Sequence, residues 1–509
     1  MWANESPPGR PAVPAGTRPV CGLLCGLLLC GLLLCGLACS LALVSCAVGP
    51  NYHRPAPPSA SHYAPPADPE RTAEAQGVVQ HFSGDTSLAG DWWHLFNSPG
   101  IDAIVGEALA GNPGLEAARA DLSQAENSLR SGYGIFYPQA QLDASATRQR
   151  FAPIKFGEAL SGSIFNLFTL SGSVSYALDV FGGERRMIEG LRAEVDLERA
   201  TERATYLSLV ANIVNTVVAR AAYQAEIEAT RGLIELEREQ VSIARTQTDA
   251  GTVPYSTVLS LESQLASSEA SVPQLEQKLT QSEDLLATLV GRVPAEWQAP
   301  AIPLAALRLP AELPLEVPSK LVERRPDILI AEASAHAASA GVGVATADLL
   351  PSINLTGSYS ANSLKTQNIL DARGRAWSAG AAATAPLFEG GTLWYRRKAA
   401  IDTYRATSAL YRQTVVQAFA QVADVLRALE HDAAALAAQD RALESARQAL
   451  DLVQARYEAG TGSYLEVLAA DAQYHQALIN DIGDIAVRYQ DTVALYVALG
   501  GGWWNVPPG

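Results

Sequence analysis

The sequence predicts an α+β membrane protein with an internal duplication, in which four strands per chain join those of other copies in a β-barrel. Each half would also contain a pair of long antiparallel helices. Three observations lead to this fold class. A set of landmarks occurs twice in the same order, each half contains a long proline-free helical pattern, and four short segments alternate between apolar and small polar residues. These features follow an apolar leader that is typical of an exported protein.

The chain of 509 residues begins with a predicted export signal, residues 1–45. An almost unbroken apolar run, Val20–Val44, follows a leader that carries Arg10 and Arg18. That run is also long enough to span a bilayer, so a retained anchor is the alternative. The tetrapeptide LVSC, which ends at Cys46, resembles the lipobox of bacterial lipoproteins. It favours cleavage before Cys46 and a lipidated, palmitate-bearing N-terminus, followed by a proline-rich leash.

Composition argues against several function classes. The formal net charge of −16 is unsuited to a nucleic-acid partner, because binding phosphates requires a basic surface. All six cysteines lie at or before Cys46, which excludes disulfides and a cysteine nucleophile from the rest of the chain. The seven histidines lack metal-ligand spacing, and the glycine pattern GVGV at 341–344 falls inside a helical pattern. We therefore expect no enzyme activity, no catalytic residues, no cofactor and no metal.

The duplication is visible as landmarks that recur in one order. Each half has a proline-led helical pattern, then a second proline that opens an alternating segment, then a Phe-Gly-Gly turn, then a Gly-Thr turn. The matched segments are Gly111–Thr147 with Arg324–Ser360, Tyr176–Arg186 with Thr384–Arg397, and Thr246–Leu265 with Arg456–Tyr474. Several landmarks matched in order predict two structurally similar halves.

Each half also contains a long helical stretch without proline, at about 184–250 and 393–459. Both are rich in residues that favour helices, and each would reach on the order of 100 Å. A second helix returns after each Gly-Thr turn, at 255–290 and 464–499. An ordinary coiled-coil stalk would explain the helices alone.

Four segments alternate with the period of a β-strand. They are Gln139–Gln149, Phe168–Asp179, Ser352–Ser360 and, more weakly, Trp377–Leu387. One face is apolar and the other small and polar, which is typical of membrane barrel strands, although a half-buried soluble sheet alternates in the same way. Four strands are too few to close a barrel, and open edges in lipid are costly. Two, three or four copies would therefore share one barrel, with the polar faces lining water.

The chain after residue 43 resembles the TolC-type outer-membrane factors, and within them the NodT-like efflux lipoproteins. The motifs that carry this resemblance are VGPNYHRP (48–55), DWWHLFNSP (91–99), EALAGNPGLEAARADLSQA (107–125), YALDVFGGERR (176–186), ERRPDI (323–328), PLFEGG (386–391) and YEAGTGSYLEVL (457–468). The resemblance implies a homotrimer with a twelve-stranded outer-membrane barrel, continued across the periplasm by an α-helical barrel.

The same resemblance implies a function and a location. The chain would be the outer-membrane channel of a tripartite efflux system, a passive exit duct for small molecules. Its partners would be a periplasmic adaptor (a membrane fusion protein), a proton-driven inner-membrane pump and outer-membrane lipid. It would be lipid-anchored and membrane-spanning in the cell outer membrane and extend into the periplasm. The alternatives are the exit channel of type I protein secretion and a lipid-tethered periplasmic coiled-coil protein or enzyme.

The resemblance also assigns roles to the two Gly-Thr turns. They would be periplasmic tips that contact the adaptor through Gly251, Thr252, Tyr255, Gly460, Thr461 and Tyr464. A constriction would lie at Leu465, Glu466 and Ala469. In the family the corresponding segment carries two carboxylates, of which this chain keeps only Glu466, and Gly462 stands where an arginine latch can occur. Packing of Tyr464 and Leu465 is the alternative means of closure.

We divide the chain into ten predicted segments. They are a signal peptide (1–45), a lipidated leash with an equatorial segment (46–98), a helical-barrel segment (99–137), the first membrane β-hairpin (138–180), a long helical hairpin with a periplasmic tip (181–291), an equatorial linker (292–318), a second helical-barrel segment (319–350), the second membrane β-hairpin (351–388), a second long helical hairpin with a tip (389–499) and a C-terminal tail (500–509).

Two groups of side chains have competing interpretations. Trp92, Trp93, Trp503 and Trp504 would lie at a membrane interface or, as the resemblance implies, in the periplasmic collar. Arg185, Arg186, Arg396 and Arg397 would meet lipid headgroups or lie at ordinary solvated helix ends.

Overall fold

A computed structural model describes residues 47–64, 67–84, 88–151 and 162–505. The predicted signal peptide and Cys46 lie outside the described residues. The chain divides into two compact units. One consists of the described parts of Met1–Gly49, Ile135–Arg186 and Gly343–Leu393, and the other of those of Pro50–Gly134, Met187–Val342 and Trp394–Gly509.

The described residues form eight α-helices. These are α1 (Pro99–Gly111), α2 (Pro113–Gly132), α3 (Gly183–Asp249), α4 (Tyr255–Val290), α5 (Pro318–Arg324), α6 (Pro326–Ala347), α7 (Thr392–Glu458) and α8 (Tyr464–Ala498). Proline opens four of them, where its missing N–H is not needed. The Asn112 side chain caps α2 by accepting a hydrogen bond of 2.9 Å from the Leu115 N–H. Among the described helices, only α6 has the length and apolar composition of a membrane span.

The predicted long hairpins are present, with ends within one or two residues of those expected. Helices α3 and α7 both contain 67 residues, which fits two copies of one pattern. Helix α7 buries a seam of side chains at spacings of three or four residues: Tyr411, Val415, Ala418, Val422, Leu426, Leu429, Ala433 and Leu436. Helix α4 differs from its counterpart α8 because it contains Pro273 within the helix.

Six β-strands are described. They are β1 (His81–Ser83), β2 (Gln139–Phe151), β3 (Ser163–Leu178), β4 (Glu312–Pro314), β5 (Ser352–Ser363) and β6 (Arg375–Thr384). Strands β2, β3, β5 and β6 form one antiparallel sheet in that order. All four alternating segments are therefore strands. Strand β3 begins at Ser163, five residues before the predicted start, because Ser163–Leu167 pairs with the end of β2.

The unit that contains residues 50–134, 187–342 and 394–509 has a core in which N-terminal, central and C-terminal segments meet. Strand β1 pairs in parallel with β4. The ring of Trp92 is fully buried and stacks on Tyr496 of α8 at a centroid distance of 5.2 Å. The Asn505 amide donates a hydrogen bond of 2.6 Å to the Leu88 carbonyl oxygen, which ties the C-terminal tail to this core.

Candidate functional site

The register of the four-stranded sheet separates two kinds of side chain onto its two faces. On one face, Leu142 pairs with Gly172, Gly172 with Tyr359, and Tyr359 with Trp377. The neighbouring row on the opposite face consists of Gln141, Ser173, Ser358 and Ser378. The Ser358 and Ser378 hydroxyl groups are hydrogen-bonded at 2.9 Å. One face thus suits lipid and the other suits water.

The alternation weakens toward the end of the sheet where β2 leads into β3. There Phe165 and Leu167 lie on the polar face, and Arg148 and Arg150 lie on the apolar face. Between Phe168 and Leu178, strand β3 pairs with β5 without a break. That length is enough for a tilted strand to cross the hydrocarbon core of a membrane, about 9–11 residues.

The outer edges of β2 and β6 have no strand partner among the described residues. The backbone groups along these edges are available for pairing with another chain. Strand directions alternate across β2, β3, β5 and β6, so β2 and β6 run antiparallel to each other.

The first Gly-Thr turn ends α3 with a glycine-dependent cap. Gly251 has φ +74°, a left-handed conformation that favours glycine. Its N–H donates to the Thr248 carbonyl at 2.9 Å, and the Thr252 N–H donates to the Gln247 carbonyl at 2.9 Å. The Thr252 hydroxyl donates to that same carbonyl at 2.8 Å. This Schellman cap leaves Tyr255 at the start of α4 largely exposed.

The second Gly-Thr turn repeats this geometry at the end of α7. Gly460 has φ +74°, and the Thr461 N–H donates to the Arg456 carbonyl at 2.9 Å. The start of the next helix differs, because the Ser463 hydroxyl caps α8 by accepting from the Glu466 N–H at 3.2 Å. The two turns that match in sequence therefore also form the same backbone hydrogen bonds.

Tyr464 makes contacts within its own chain at the second turn. Its ring packs on Tyr457 at a centroid distance of 5.3 Å. A hydrogen bond to Glu239 on α3 raises the pKa of Tyr464. The buried Gln240 amide donates to the Leu468 carbonyl at 2.7 Å. These contacts fasten the beginning of α8 to α3.

The predicted constriction residues lie on the first turns of α8. Glu466 and Ala469 are exposed, whereas Leu465 is half-buried. The Glu466 carboxylate lies 4.0 Å from the Arg456 guanidinium across the turn. Exposed residues continue along the same helix face at Gln473, Gln476 and Asn480. The sequence analysis missed this uncharged polar face, although its spacing of three and four residues is visible in the sequence.

The start of the described chain lies beside the turn that follows β3. The Val48 N–H donates to the Phe181 carbonyl at 3.0 Å, and a side chain added at Gly182 would collide with Ala47. Arg186 is buried, and its Nε donates to the Val48 carbonyl at 3.1 Å. Both interpretations of Arg186 as a lipid-facing or solvated side chain were wrong, since the guanidinium binds the N-terminal segment.

The next residues of the N-terminal segment contact helices and are not a free leash. The Tyr52 ring stacks on His336 of α6 at 4.5 Å. The Arg54 guanidinium donates to the Glu332 carboxylate with Nε at 2.7 Å. Further on, the Tyr63 hydroxyl donates to the Glu316 carbonyl at 2.9 Å. This proline-rich segment therefore lies along the surface of the folded chain.

The four tryptophans pack within protein. Trp92 and Trp93 are buried. The Trp503 indole donates to the Arg324 carbonyl at 2.8 Å, and the Arg203 guanidinium lies 3.6 Å from the Trp503 ring centroid. Among the described residues, no group of three His, Cys, Asp or Glu side chains could hold a metal ion. Gly343 of the GVGV pattern packs closely on the side chain of Arg186.

The chain is similar to known proteins along most of its length. The family model described as outer membrane efflux protein matches residues 104–292 and 317–501. The pyoverdine export outer membrane protein OpmQ of Pseudomonas aeruginosa is 31% identical over 427 residues, which cover 82% of this chain and 89% of that protein. Nodulation protein T of Rhizobium leguminosarum bv. viciae is 28% identical, covering 91% of this chain and 92% of that protein.

A solved structure of the outer-membrane channel OprN has a TM-score of 0.78 and 28% sequence identity, and the match covers 90% of this chain and 100% of that one. The family match spans both halves of the duplication, including both helical hairpins, all four strands of the large sheet and both Gly-Thr turns. The chain belongs to the outer membrane efflux protein family.

Proposed function

We propose that three copies of this chain form a passive exit duct across the outer membrane, through which small molecules leave a tripartite efflux system. The observation that carries this proposal is a sheet with one apolar face, one polar face and two edges that have no strand partner in the described parts of the chain. Each unpaired backbone N–H or C=O group in lipid costs several kcal/mol. Because each open edge has several such groups, an open four-stranded sheet would not be stable in a bilayer.

Pairing between copies removes both edges at once. Because β2 and β6 run antiparallel, β6 of one copy can pair with β2 of the next in a ring that is antiparallel throughout. Three copies give twelve strands, with Ser173 and Ser358 facing water and Tyr359 and Trp377 facing lipid. Two or four copies would also close, and the family resemblance favours three.

Engineered cysteines test this pairing without background, since the chain has no cysteine after Cys46. In the variant Gln141→Cys with Ser378→Cys, one cysteine lies on each open edge. We expect oxidation to link separate chains and to give covalent trimers on non-reducing gels. The register between copies is tested by moving the second cysteine to Gly380 or Ala376.

A matched control places both cysteines inside one copy. Ser173 and Ser358 are register partners on adjacent strands, so Ser173→Cys with Ser358→Cys should give a link within the chain. Folded protein that is monomeric in detergent, with no links between chains at any register, would rule out the shared barrel.

The two turns are proposed as the docking surface for the periplasmic adaptor, through Gly251, Thr252, Tyr255, Gly460, Thr461 and Tyr464. The largely exposed Tyr255 ring supports this role, since exposed aromatic side chains are favoured as interface anchors. We expect Tyr255→Ala to lose adaptor binding while the trimer remains intact. Tyr137 is similarly exposed and lies outside the turns, so Tyr137→Ala is the control.

The constriction is proposed at Leu465, Glu466 and Ala469, where three copies would meet. Three Glu466 carboxylates close together would repel each other and attract cations. We expect Glu466→Gln to reduce cation preference in planar bilayers and Ala469→Glu to increase it. Currents identical to those of the unmodified protein in both variants would exclude these positions from the narrowest point.

Lipidation at Cys46 is proposed from the LVSC motif and from the position of the next residue. Ala47 lies against Gly182, directly after strand β3, so a lipid on residue 46 would begin beside the end of a membrane strand. We expect Cys46→Ser to abolish metabolic labelling with palmitate. The variant should still partition into membranes, because the barrel would hold it there.

A further inference from the structure

One cavity lies in the unit that contains most of α3, α7 and α8. It has a volume of about 540 Å³ and is lined by residues of α3, α7 and α8, the turn around Gln76 and the segment from Pro303 to Leu309. Its walls are mainly aliphatic, with Leu304, Leu309, Leu436, Leu478, Ile482 and Ile485. Its size and apolar lining are those of a small-molecule site, which usually also has a few polar groups.

The cavity has an acidic end that is poorly satisfied within the protein. Asp481 of α8 lines the cavity and is only 4% exposed, and its buried Oδ1 atom has no N–H or hydroxyl donor among the described residues. Asp440 of α7 lies beside it, and the Gln76 backbone N–H donates to Asp440 Oδ2 at 2.9 Å. The Gln76 side-chain amide contacts both carboxylates. An unpartnered buried oxygen costs free energy that a ligand donor would recover.

The remaining charged groups near the cavity are already engaged or lie at its rim. The Arg488 guanidinium donates to the carbonyls of Ala75 and Val78 at 2.9 and 3.0 Å and to Gln80 Oε1 at 3.2 Å. Arg308 is exposed. The Tyr489 hydroxyl donates to the Leu307 carbonyl at 3.0 Å. Among the described residues that line the cavity, Asp481 is therefore the one with a buried carboxylate oxygen that has no N–H or hydroxyl donor.

We propose that this cavity binds a small hydrophobic amine, whose ammonium group donates to Asp481 Oδ1 while its hydrocarbon part packs on the aliphatic walls. The positive charge of the ammonium group would compensate the negative charge of the two neighbouring carboxylates, and its N–H groups supply up to three hydrogen-bond donors. This proposal does not rest on the proposed duct, because residues of a single chain line the cavity.

Protonation is coupled to this binding. Burial, then the neighbouring Asp440 charge and hydrogen bond and the Asp484 charge, raise the pKa of Asp481 to about 7. An arriving ammonium favours ionised carboxylates, so the pair releases part of a proton to buffer when the amine binds near neutral pH. The other charged groups that line the cavity are the exposed Arg308 and the buried Arg488.

The test compares three probes of one shape, 1-aminoadamantane, 1-adamantanol and 1-adamantanecarboxylate, on the full-length protein in detergent by calorimetry. We expect the amine to bind and the other two to bind at least about tenfold more weakly, as expected for a charged hydrogen bond. The amine enthalpy should differ between Tris and phosphate buffers because a proton is released.

Three variants keep the test decisive. Asp481→Asn should weaken amine binding at least about tenfold, whereas Asp451→Asn, an exposed aspartate on α7, should not change it. Ala225→Phe should fill the cavity and abolish binding while both carboxyl groups remain. Equal binding of the alcohol and the amine, preference for the carboxylate, an unchanged Asp481→Asn protein, or no binding of the amine to the unmodified protein would each overturn the proposal.

Discussion

The two long hairpins come from one repeated pattern, yet their arms are held together differently. In the first hairpin, arginines on α3 pair with glutamates on α4. The pairs are Arg231–Glu276 at 2.7 Å, Arg238–Glu269 at 2.8 Å and Arg245–Glu262 at 2.6 Å. Successive pairs are seven residues apart on both helices, which is close to two helical turns and keeps them on one face. The first hairpin therefore has a ladder of ion pairs.

The second hairpin lacks the residues for this ladder. When Gly251 is aligned with Gly460, the three arginine positions become Asp440, Arg447 and Gln454. The three glutamate positions become Asp471, Leu478 and Ile485. The structure places a carboxyl pair in this region, the buried Asp481 and the half-buried Asp440. The duplicated hairpins therefore differ in how their arms contact each other. The first uses exposed ion pairs, and the second uses buried apolar side chains together with a carboxyl pair.

This difference predicts different sensitivities. Exposed ion pairs contribute little individually and are screened by salt. A buried pair of acids is disfavoured when both ionise, so its effect depends on pH. We expect salt to loosen the first hairpin and rising pH to loosen the second, while the apolar seam of α7 dominates the stability of the second.

The largest expected effect tests that seam. Leu429 is fully buried in α7, so Leu429→Ala should destabilise the protein by about 2–5 kcal/mol, the usual cost of such a cavity. Tryptophan fluorescence during denaturant unfolding in detergent measures this change. Leu452 lies on the same helix but is exposed, and Leu452→Ala should change stability by about 0.5 kcal/mol or less. Equal effects of the two variants would contradict the prediction that the buried seam of α7 dominates the stability of this hairpin.

The pH dependence of the second hairpin should be the next largest effect. The pKa of Asp481 is raised to about 7, and that of Asp491, which burial and Asp432 affect, is raised to about 7 as well. Folded protein therefore binds more protons than unfolded protein between about pH 4 and pH 7, and stability falls as pH rises through this window. Melting temperatures at pH 5 and pH 8 measure the effect.

Substitution identifies the source of that dependence. Asp481→Asn keeps the shape but cannot ionise, so it should raise the melting temperature at pH 8 by about 2 °C or more and flatten the pH profile. The pair would not be responsible if the profile of this variant matched that of the unmodified protein. The exposed Asp451→Asn should leave the profile unchanged.

The two turns should respond equally, because their backbone geometry is the same. Gly251 and Gly460 both have φ +74° and no neighbour near an added Cβ atom. Gly251→Ala and Gly460→Ala should each cost about 1 kcal/mol from backbone strain alone. Gly106 is also unobstructed but lies inside α1 without a positive φ, so Gly106→Ala should stabilise by about 0.5–1 kcal/mol. Unequal costs at the two turns would show that further contacts distinguish them.

Sequence patterns predicted the features that depend on neighbouring residues. Alternation identified β2, β3, β5 and β6, and repeated Gly-Thr pairs identified two turns whose hydrogen bonds are nearly the same. The unpaired Asp481 oxygen and the ladder at Arg238 could not be predicted in this way. They depend on which faces of two distant helices meet and in what register, and a single sequence does not specify that pairing.

The smallest expected effect concerns the ion-pair ladder. Arg238 contacts Glu269 on the opposite arm, so Arg238→Gln should destabilise the protein slightly at low salt, by less than either glycine substitution. Arg447 occupies the corresponding position in the second hairpin and lies 3.8 Å from Glu444 on its own helix. Arg447→Gln removes the same charge without affecting an arm contact, so its effect should be smaller. The gap between the two variants should close at about 1 M salt, where screening acts within about 3 Å. A gap that persists at high salt would mean that the aliphatic part of Arg238 holds the arms by packing.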